Sequence, residues 1–153
     1  MSFARCAAFV FVTLLALVPW MEVTARTQTP ADQTKAPDFI TAQELKAKVE
    51  KKRPITIIDV RSSSALLESG RKIKGAIYVK LRRLEYRLRF PPLKDVPRDS
   101  EVVTYCACPN DEASLRAAGL LLQSGFKRVH ALKGGWREWL RVNGPVEQRP
   151  RGT

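Results

Sequence analysis

The chain has 153 residues and a formal net charge of +12 at pH 7. Its hydrophobic share of 44% and charged share of 27% are those of a globular protein, which excludes disorder of the whole chain. At this length we expect one domain with a substantial core.

Residues 1–25 are predicted to be a secretory signal peptide. Arg5 precedes an apolar run from Ala7 to Val18, and the small residues that end at Ala25 fit a signal peptidase site. We therefore expect an exported, periplasmic protein that begins at Arg26. An uncleaved N-terminal membrane anchor is the alternative, but the apolar run is short for a stable transmembrane span.

The next part of the chain alternates helical and extended patterns. Residues 26–37 are polar with two prolines and indicate a linker. Thr41 and Glu44 have the spacing of a capping box and predict a helix start. Three further elements are predicted before residue 80: a buried strand at Ile55–Val60, a short helix at Ser63–Ser69 and a strand at Ala76–Val79.

Cations are crowded between Arg71 and Arg89. Leu81, Leu84 and Leu88 recur there at helical spacing, which predicts an amphipathic helix over residues 80–89. Its basic face carries Lys80, Arg82, Arg83, Arg87 and Arg89. The plain interpretation is a solvated helix face, and the alternative is a surface for an anionic partner such as a membrane. Nucleic acid is disfavoured because no aromatic platform accompanies the charge.

The stretch from Glu101 to Ser114 is predicted to contain the functional site. A β-branched run predicts a buried strand that stops at Cys106, and a helix with apolar spacing follows the loop. Asn110 or Asp111 is expected to be its N-cap, and Gly125 its left-handed end. Cys106 would then lie where helix N–H groups bind an anion and lower a thiol pKa.

The remaining elements complete an α/β pattern. Residues Arg128–Leu132 predict a strand, and a helix starting near Gly135 is expected to carry Trp136, Trp139 and Leu140 on one face. Strands that alternate with helices predict an α/β fold with a mainly parallel sheet and helices on both faces.

Five short motifs occur in a characteristic order: IIDVR at Ile57–Arg61, GAIYV at Gly75–Val79, VVTYC at Val102–Cys106, GF at Gly125–Phe126 and GGWREW at Gly134–Trp139. With this order and spacing the chain resembles the rhodanese-like domain family, in the form of a single-domain rhodanese. We assign residues 38–147 to that domain and residues 148–153 to a C-terminal tail.

The resemblance implies a rhodanese-type sulfurtransferase or persulfide carrier. Cys106 aligns with the sulfur-carrying cysteine, whose thiolate would attack a donor such as thiosulfate and pass sulfane sulfur to a thiol or cyanide. Small donors and acceptors are therefore the expected partners, with no cofactor and no metal. The resemblance also implies that Asp59 and Arg61 form a supporting ion pair near the loop.

The loop after Cys106 departs from the usual family pattern. It is longer than six residues, and Asp111 and Glu112 stand where a cation would be expected. These acids either complement the helix dipole or disfavour the Cys106 thiolate. The predicted active-site loop comprises Ala107, Cys108, Pro109, Asn110, Asp111, Glu112, Ala113 and Ser114.

One alternative to sulfur transfer stays open. The acidic loop also fits a catalytically inactive module that binds a partner or senses redox state. A phosphatase of the same fold would need an Arg to clamp its oxyanion, and the loop has none.

Cys108 is either a small packing residue or a thiol that attacks a Cys106 persulfide. A disulfide that staples the fold is not expected across so short a loop. His130, the one histidine, is interpreted as structural.

Overall fold

The computed structural model of the protein describes residues 37–149. The predicted signal peptide and all but the last residue of the predicted linker lie outside the described residues, so export and cleavage stay predictions. Between residues 37 and 149, no helix is long and apolar enough to cross a membrane.

The described residues form seven strands, five α-helices and one 3-10 turn. The strands are β1 (Asp38–Ile40), β2 (Thr56–Asp59), β3 (Arg71–Ile73), β4 (Ile77–Tyr78), β5 (Glu101–Tyr105), β6 (Arg128–Leu132) and β7 (Val146–Gln148). The helices are α1 (Ala42–Glu50), α2 (Ser63–Ser69), α3 (Leu84–Arg87), α4 (Glu112–Gln123) and α5 (Gly135–Arg141), and the 3-10 turn is Leu81–Arg83.

Five strands form one parallel sheet in the order β1-β6-β5-β2-β4. The strand that leads to Cys106, β5, is central, with β2 on one side and β6 on the other. Asp59 of β2 pairs with Tyr105 of β5, so the ends of these two strands lie side by side. The predicted α/β class with a mainly parallel sheet is thus confirmed.

Alternating residues of the central strands supply cores on both faces of the sheet. On one face, Ile58 and Val102 pack in a cluster with Leu121 of α4. On the other face, Ile57 and Val103 pack in a cluster that also holds buried residues of α1 and α5. Helices therefore cover both sides of the sheet, and the ends of β2 and β5 are held from above and below.

Several local predictions are confirmed. Thr41 caps α1 in a capping box with Glu44. The helix Ser63–Ser69 and the strand Arg128–Leu132 have the predicted bounds. Gly125 adopts a φ of 89° directly after the C-cap of α4, the left-handed conformation expected there.

Other local predictions need correction. The short strands β1, β3 and β7 were not predicted, and β7 includes Gln148, the first residue of the predicted tail. On α5, Trp136 and Trp139 are buried but Leu140 is exposed, so the three do not share one buried face. One continuous basic helix was predicted over residues 80–89. The structure instead has a 3-10 turn followed by the single turn of α3.

Candidate active site

Cys106 directly follows β5, at the carboxyl edge of the parallel sheet, where α/β proteins form their binding clefts. Its side chain is only 1% exposed. The Cys106 Sγ lies 3.7 Å from the Oγ of Ser114, in the first turn of α4. The structure therefore places the Cys106 sulfur between a strand end and a helix start, as predicted.

The structure joins Cys106 to Cys108 in a disulfide with a Cα–Cα distance of 5.7 Å. Cys108 is half-buried, whereas Ala107, Pro109 and Asn110 are exposed. The bond encloses a single residue, so it constrains the unfolded chain little. Cys108 also packs against the core cluster that contains Leu121 of α4, so its position fits both sequence-based alternatives, a packing residue and a thiol within reach of Cys106.

The loop is tied at both ends to the start of α5. The backbone oxygen of Cys106 accepts a hydrogen bond of 2.8 Å from the N–H of Trp136. Asp111, at the other end of the loop, accepts a bond of 2.7 Å from the N–H of Gly134 through its Oδ2. Both anchors lie more than twenty residues away along the chain, so they depend on the folded sheet.

Asp111 occupies the predicted N-cap position but does not cap the helix with its side chain. Its φ of 55° is left-handed, and its buried carboxylate points to Gly134 instead of the first turn of α4. Glu112, the second acid of the loop, is exposed at the first position of the helix. The two acids that looked equivalent in the sequence therefore have different surroundings.

Ser114 is fully buried behind the sulfur, and Ala113 faces the cleft beside it. The Ser114 hydroxyl donates a hydrogen bond of 2.8 Å to the backbone oxygen of Asp111. A second buried hydroxyl, that of Thr104, donates to the backbone oxygen of Ser114 at 2.8 Å. The start of α4 is thus held against β5 by side-chain hydrogen bonds.

Asp59 and Arg61 form the ion pair that the family resemblance implied. The Arg61 Nη2 lies 2.7 Å from the Asp59 Oδ2, and neither side chain is exposed. The other terminal nitrogen of Arg61 donates to the Oγ of Ser69, and the guanidinium carbon lies 4.3 Å from the centroid of the Trp136 ring. Buried partners therefore satisfy both the charge and the N–H groups of the Arg61 guanidinium.

Tyr105 extends this buried network. Its hydroxyl donates a hydrogen bond of 2.7 Å to the Asp59 Oδ2 and accepts one from the N–H of Ile73. Burial, reinforced by the Asp59 carboxylate, raises the pKa of Tyr105 well above its ordinary value. The hydroxyl consequently remains a neutral donor to Asp59 throughout the physiological pH range.

A cleft of about 240 Å³ opens onto the sulfur. Its walls include Val60, Ala65, Ala107 and Ala113, and Arg61 is its one charged lining residue. A larger cavity of about 450 Å³ is lined by Pro109, Asp111 and Lys133 and by neither loop cysteine. We place the candidate site at the smaller cleft, because Cys106, the predicted nucleophile, lines it.

His130 lies away from this cleft, within β6, where it pairs with Val103 in the sheet register. Its Nε2 is 3.8 Å from the Oε1 of Glu101, at the amino end of β5. No group of three metal-ligating side chains occurs among residues 37–149. The described part of the chain therefore offers Cys106 no histidine base.

Gly135 and Trp136, at the start of α5, support the site. The adjacent Gly134 and Gly135 indicate a backbone requirement, either a positive φ or a close approach. Gly135 has both, because its φ is 49° and a Cβ on it would lie 2.3 Å from the backbone oxygen of Cys106. The spacing of Trp136 with Trp139 indicates a core residue, with a place in the pocket wall as the alternative. Trp136 is buried, covers Arg61 and anchors Cys106.

We expect Gly135→Ala to displace the loop. The matched control is Gly70→Ala, because Gly70 also has a positive φ, 60°, but nothing within 4 Å of an added Cβ. Both variants bear the left-handed strain of roughly 1–2 kcal/mol. Gly135→Ala adds an overpacking cost of about 1–3 kcal/mol, measured as the free energy of unfolding.

The same pair of variants also tests the position of the sulfur. In the reduced protein, iodoacetamide should alkylate Cys106 faster in Gly135→Ala than in Gly70→Ala, because a displaced loop exposes the buried thiol. Equal stability and equal alkylation rates in both variants would contradict the close approach of Gly135 to Cys106.

Comparison with known proteins gives the family. A model of the Rhodanese-like domain matches residues 41–141. The mouse (Mus musculus) thiosulfate sulfurtransferase/rhodanese-like domain-containing protein 3 is 30% identical over 111 residues, which span 68% of this chain and 69% of the mouse protein. A sulfurtransferase from Allochromatium vinosum is 24% identical over 107 residues, 70% of this chain and 92% of that protein.

Solved structures of similar proteins support the same family. The crystal structure of the Alr3790 protein from Anabaena sp. superposes with a TM-score of 0.61 at 30% identity, over 72% of this chain and 82% of that chain. A rhodanese-related protein from Thermoplasma volcanium gives a TM-score of 0.55 at 25% identity, over 73% and 99% of the two chains. The chain belongs to the rhodanese-like sulfurtransferase family.

Proposed function

We propose that the protein is a sulfurtransferase in which Cys106 carries sulfane sulfur as a persulfide. The observation that carries the proposal is the position of the Cys106 sulfur, which lines a cleft at the end of β5 against the first turn of α4. The family adds support, since two relatives of this chain bear the name sulfurtransferase.

The reaction has two steps. In the first, the Cys106 thiolate attacks the outer sulfur of a donor, and the donor's S–S bond breaks with its electron pair on the leaving group. With thiosulfate the leaving group is sulfite. In the second, an acceptor thiolate takes the outer sulfur and restores the Cys106 thiolate. Backbone N–H groups at the start of α4 would stabilise the anionic outer sulfur.

The lining of the cleft favours a donor of low charge. Arg61 is the one cation among the lining residues, but Asp59 neutralises it and its side chain is not exposed. Val60, Ala65 and Ala113 make the rest of the wall mainly apolar. A dianion such as thiosulfate would lose water there without gaining a cation, at a free-energy cost. A persulfide of a small thiol is the better match.

A second candidate function is supported by one specific observation. The disulfide between Cys106 and Cys108 leaves Cys106 without the thiolate that sulfur transfer needs. A module that switches between dithiol and disulfide would sense redox state without turning over a substrate. The two functions differ in whether the reduced protein takes up sulfur.

Sulfur uptake is the first test of the proposal. We expect the reduced full-length protein, incubated with cysteine persulfide or thiosulfate, to gain one sulfur, at least transiently, on the peptide that contains Cys106, as measured by mass spectrometry of samples quenched at early times. Loading from cysteine persulfide should be the faster of the two, because its charge is lower. The matched control Cys6→Ser should load like the wild type, and Cys106→Ser should not load. Uptake from no donor would support the redox-sensing function instead.

The exposed acid of the loop gives a second test. Glu112→Arg reverses a charge at the first position of α4, which should speed loading from thiosulfate by roughly threefold to tenfold at low salt and by less at high salt. The control is Glu85→Arg, the same change in the first turn of α3, where Glu85 is also exposed. An equal effect of both variants would show that Glu112 acts only through net charge.

A further inference from the structure

We propose that Cys108 is a resolving thiol, which releases the sulfur of a Cys106 persulfide as hydrogen sulfide. This inference rests on the proposed function of Cys106. Its basis is the bond that joins the two sulfurs across one residue, with a Cα–Cα distance of 5.7 Å, inside the range that disulfides adopt. Cys108 therefore reaches the sulfur that would carry the persulfide.

The resolving step balances without any further reactant. The Cys108 thiolate attacks the Cys106 Sγ, which is the inner sulfur of the persulfide, and a disulfide bond forms between the two Sγ atoms. The bond from the inner to the outer sulfur breaks, and its electron pair leaves on the outer sulfur. That sulfur departs as hydrosulfide and takes up a proton, so it is reduced while Cys108 is oxidised.

A dithiol reductant would restore the protein. Cys106 is 1% exposed in the disulfide form, whereas Cys108 is half-buried, so an incoming thiolate reaches the Cys108 sulfur. Attack there breaks the bond with its electron pair on Cys106, which is released as the thiolate needed for the next turnover. The second thiol of the reductant then displaces Cys108, and the reductant leaves as its own disulfide.

The architecture of the loop allows both sulfur states. The loop is anchored at Cys106 by the N–H of Trp136 and at Asp111 by the N–H of Gly134. Between these anchors Ala107, Pro109 and Asn110 are exposed. The backbone oxygen of Cys108 accepts a long hydrogen bond of 3.4 Å from the N–H of Asp111, so we expect the Cys108 sulfur to approach or leave Cys106 through changes within residues 107–110.

The experiment follows one turnover in full-length protein. Every variant also carries Cys6→Ser, which leaves Cys106 and Cys108 as the only cysteines of the chain. The protein is reduced, freed of reductant without oxygen and given one equivalent of cysteine persulfide. The sulfide released and the mass of the loop peptide are then measured over time. The variant that tests the proposal is Cys108→Ser.

With Cys108 present, we expect about one sulfide per protein and a Cys106–Cys108 disulfide, with no lasting persulfide. In Cys108→Ser the persulfide should form on Cys106 and last at least about tenfold longer, since the intramolecular attack is lost. Persulfide lifetimes that are equal with and without Cys108 would overturn the resolving role but leave the proposed function intact. Failure of Cys106 to load in either protein would overturn both.

A different surface carries a second inference. Tyr86 and Phe90 are exposed by 58% and 41%, and their ring centroids lie 4.9 Å apart. Arg82, Arg83 and Arg89 are exposed in the same short segment. This basic–aromatic surface, residues 82–90, was predicted to be basic, but its exposed aromatic pair was not recognised in the sequence.

None of the arginines on the basic–aromatic surface forms an ion pair within residues 37–149. Their charge is therefore available to an external anion. Aromatic rings and long basic side chains together suit the boundary between lipid headgroups and acyl chains. We infer that the basic–aromatic surface binds the surface of an anionic bilayer.

The test compares vesicles of phosphatidylcholine with vesicles that also contain phosphatidylglycerol. Arg83→Glu with Arg89→Glu should weaken binding of the full-length protein to the anionic vesicles by on the order of tenfold or more. The matched control, Arg53→Glu with Lys127→Glu, makes the same charge change at exposed positions elsewhere. Tyr86→Ser with Phe90→Ser should also weaken this binding.

Equal losses in the arginine variant and its control would overturn the membrane inference, because they would show an effect of net charge alone. Loss of binding to duplex DNA in the arginine variant, with unchanged binding to anionic vesicles, would also overturn it and identify nucleic acid as the partner. Either result leaves the proposed chemistry of Cys106 unaffected.

Discussion

The buried guanidinium of Arg61 is the constraint on which the site depends. An ionised group without exposure to water must have its charge and its donors satisfied by the protein. Here the Asp59 carboxylate, the Ser69 hydroxyl and the backbone oxygen of Arg71 accept its N–H groups, and the Trp136 ring covers its face. These partners come from β2, α2, β3 and α5. Loss of one member of such a pair typically costs about 3–5 kcal/mol, so these elements are held in one arrangement.

That arrangement decides what the cleft can bind. Arg61 lies in the cleft wall, but its charge is committed to Asp59, and Tyr105 adds a further donor to the same carboxylate. Although the net charge is +12, the lining of the cleft therefore presents no unpaired cation to the Cys106 sulfur. It can still raise the local concentration of anions by long-range attraction, which differs from binding them at the reacting atom. A strongly basic protein can therefore have a cleft whose one charged lining residue is neutralised by an ion pair.

The sequence predicted the features of this structure that depend on local pattern. Continuous apolar runs predicted β2 and β5, and the spacing of Thr41 and Glu44 predicted the start of α1, because these signals involve neighbouring residues. The strands β1, β3 and β7 are three residues long, too short for a detectable periodicity, and their pairing partners lie far along the chain.

The same limit applies within the site. The position of Cys106 could be predicted from a strand that ends before a helix. The partner of Asp111 could not, because the N–H of Gly134 competes with the helix start for its carboxylate only after β6 has paired with β5. The left-handed φ of Asp111 turns its side chain away from α4, and a sequence pattern does not show this.

The two anchors of the loop connect the fold to the proposed chemistry. A loop fixed along its whole length would keep Cys108 either bonded to Cys106 or apart from it, and a free loop would lose the position of the sulfur. In this protein the anchors at Cys106 and Asp111 are hydrogen bonds from backbone N–H groups at the start of α5, and the residues between them are mostly exposed. The strand end is thereby held in place while the middle of the loop is less constrained. Changes in the sulfur–sulfur bond can then occur without disturbing Arg61, because its hydrogen-bond partners Asp59, Ser69 and Arg71 lie outside the loop.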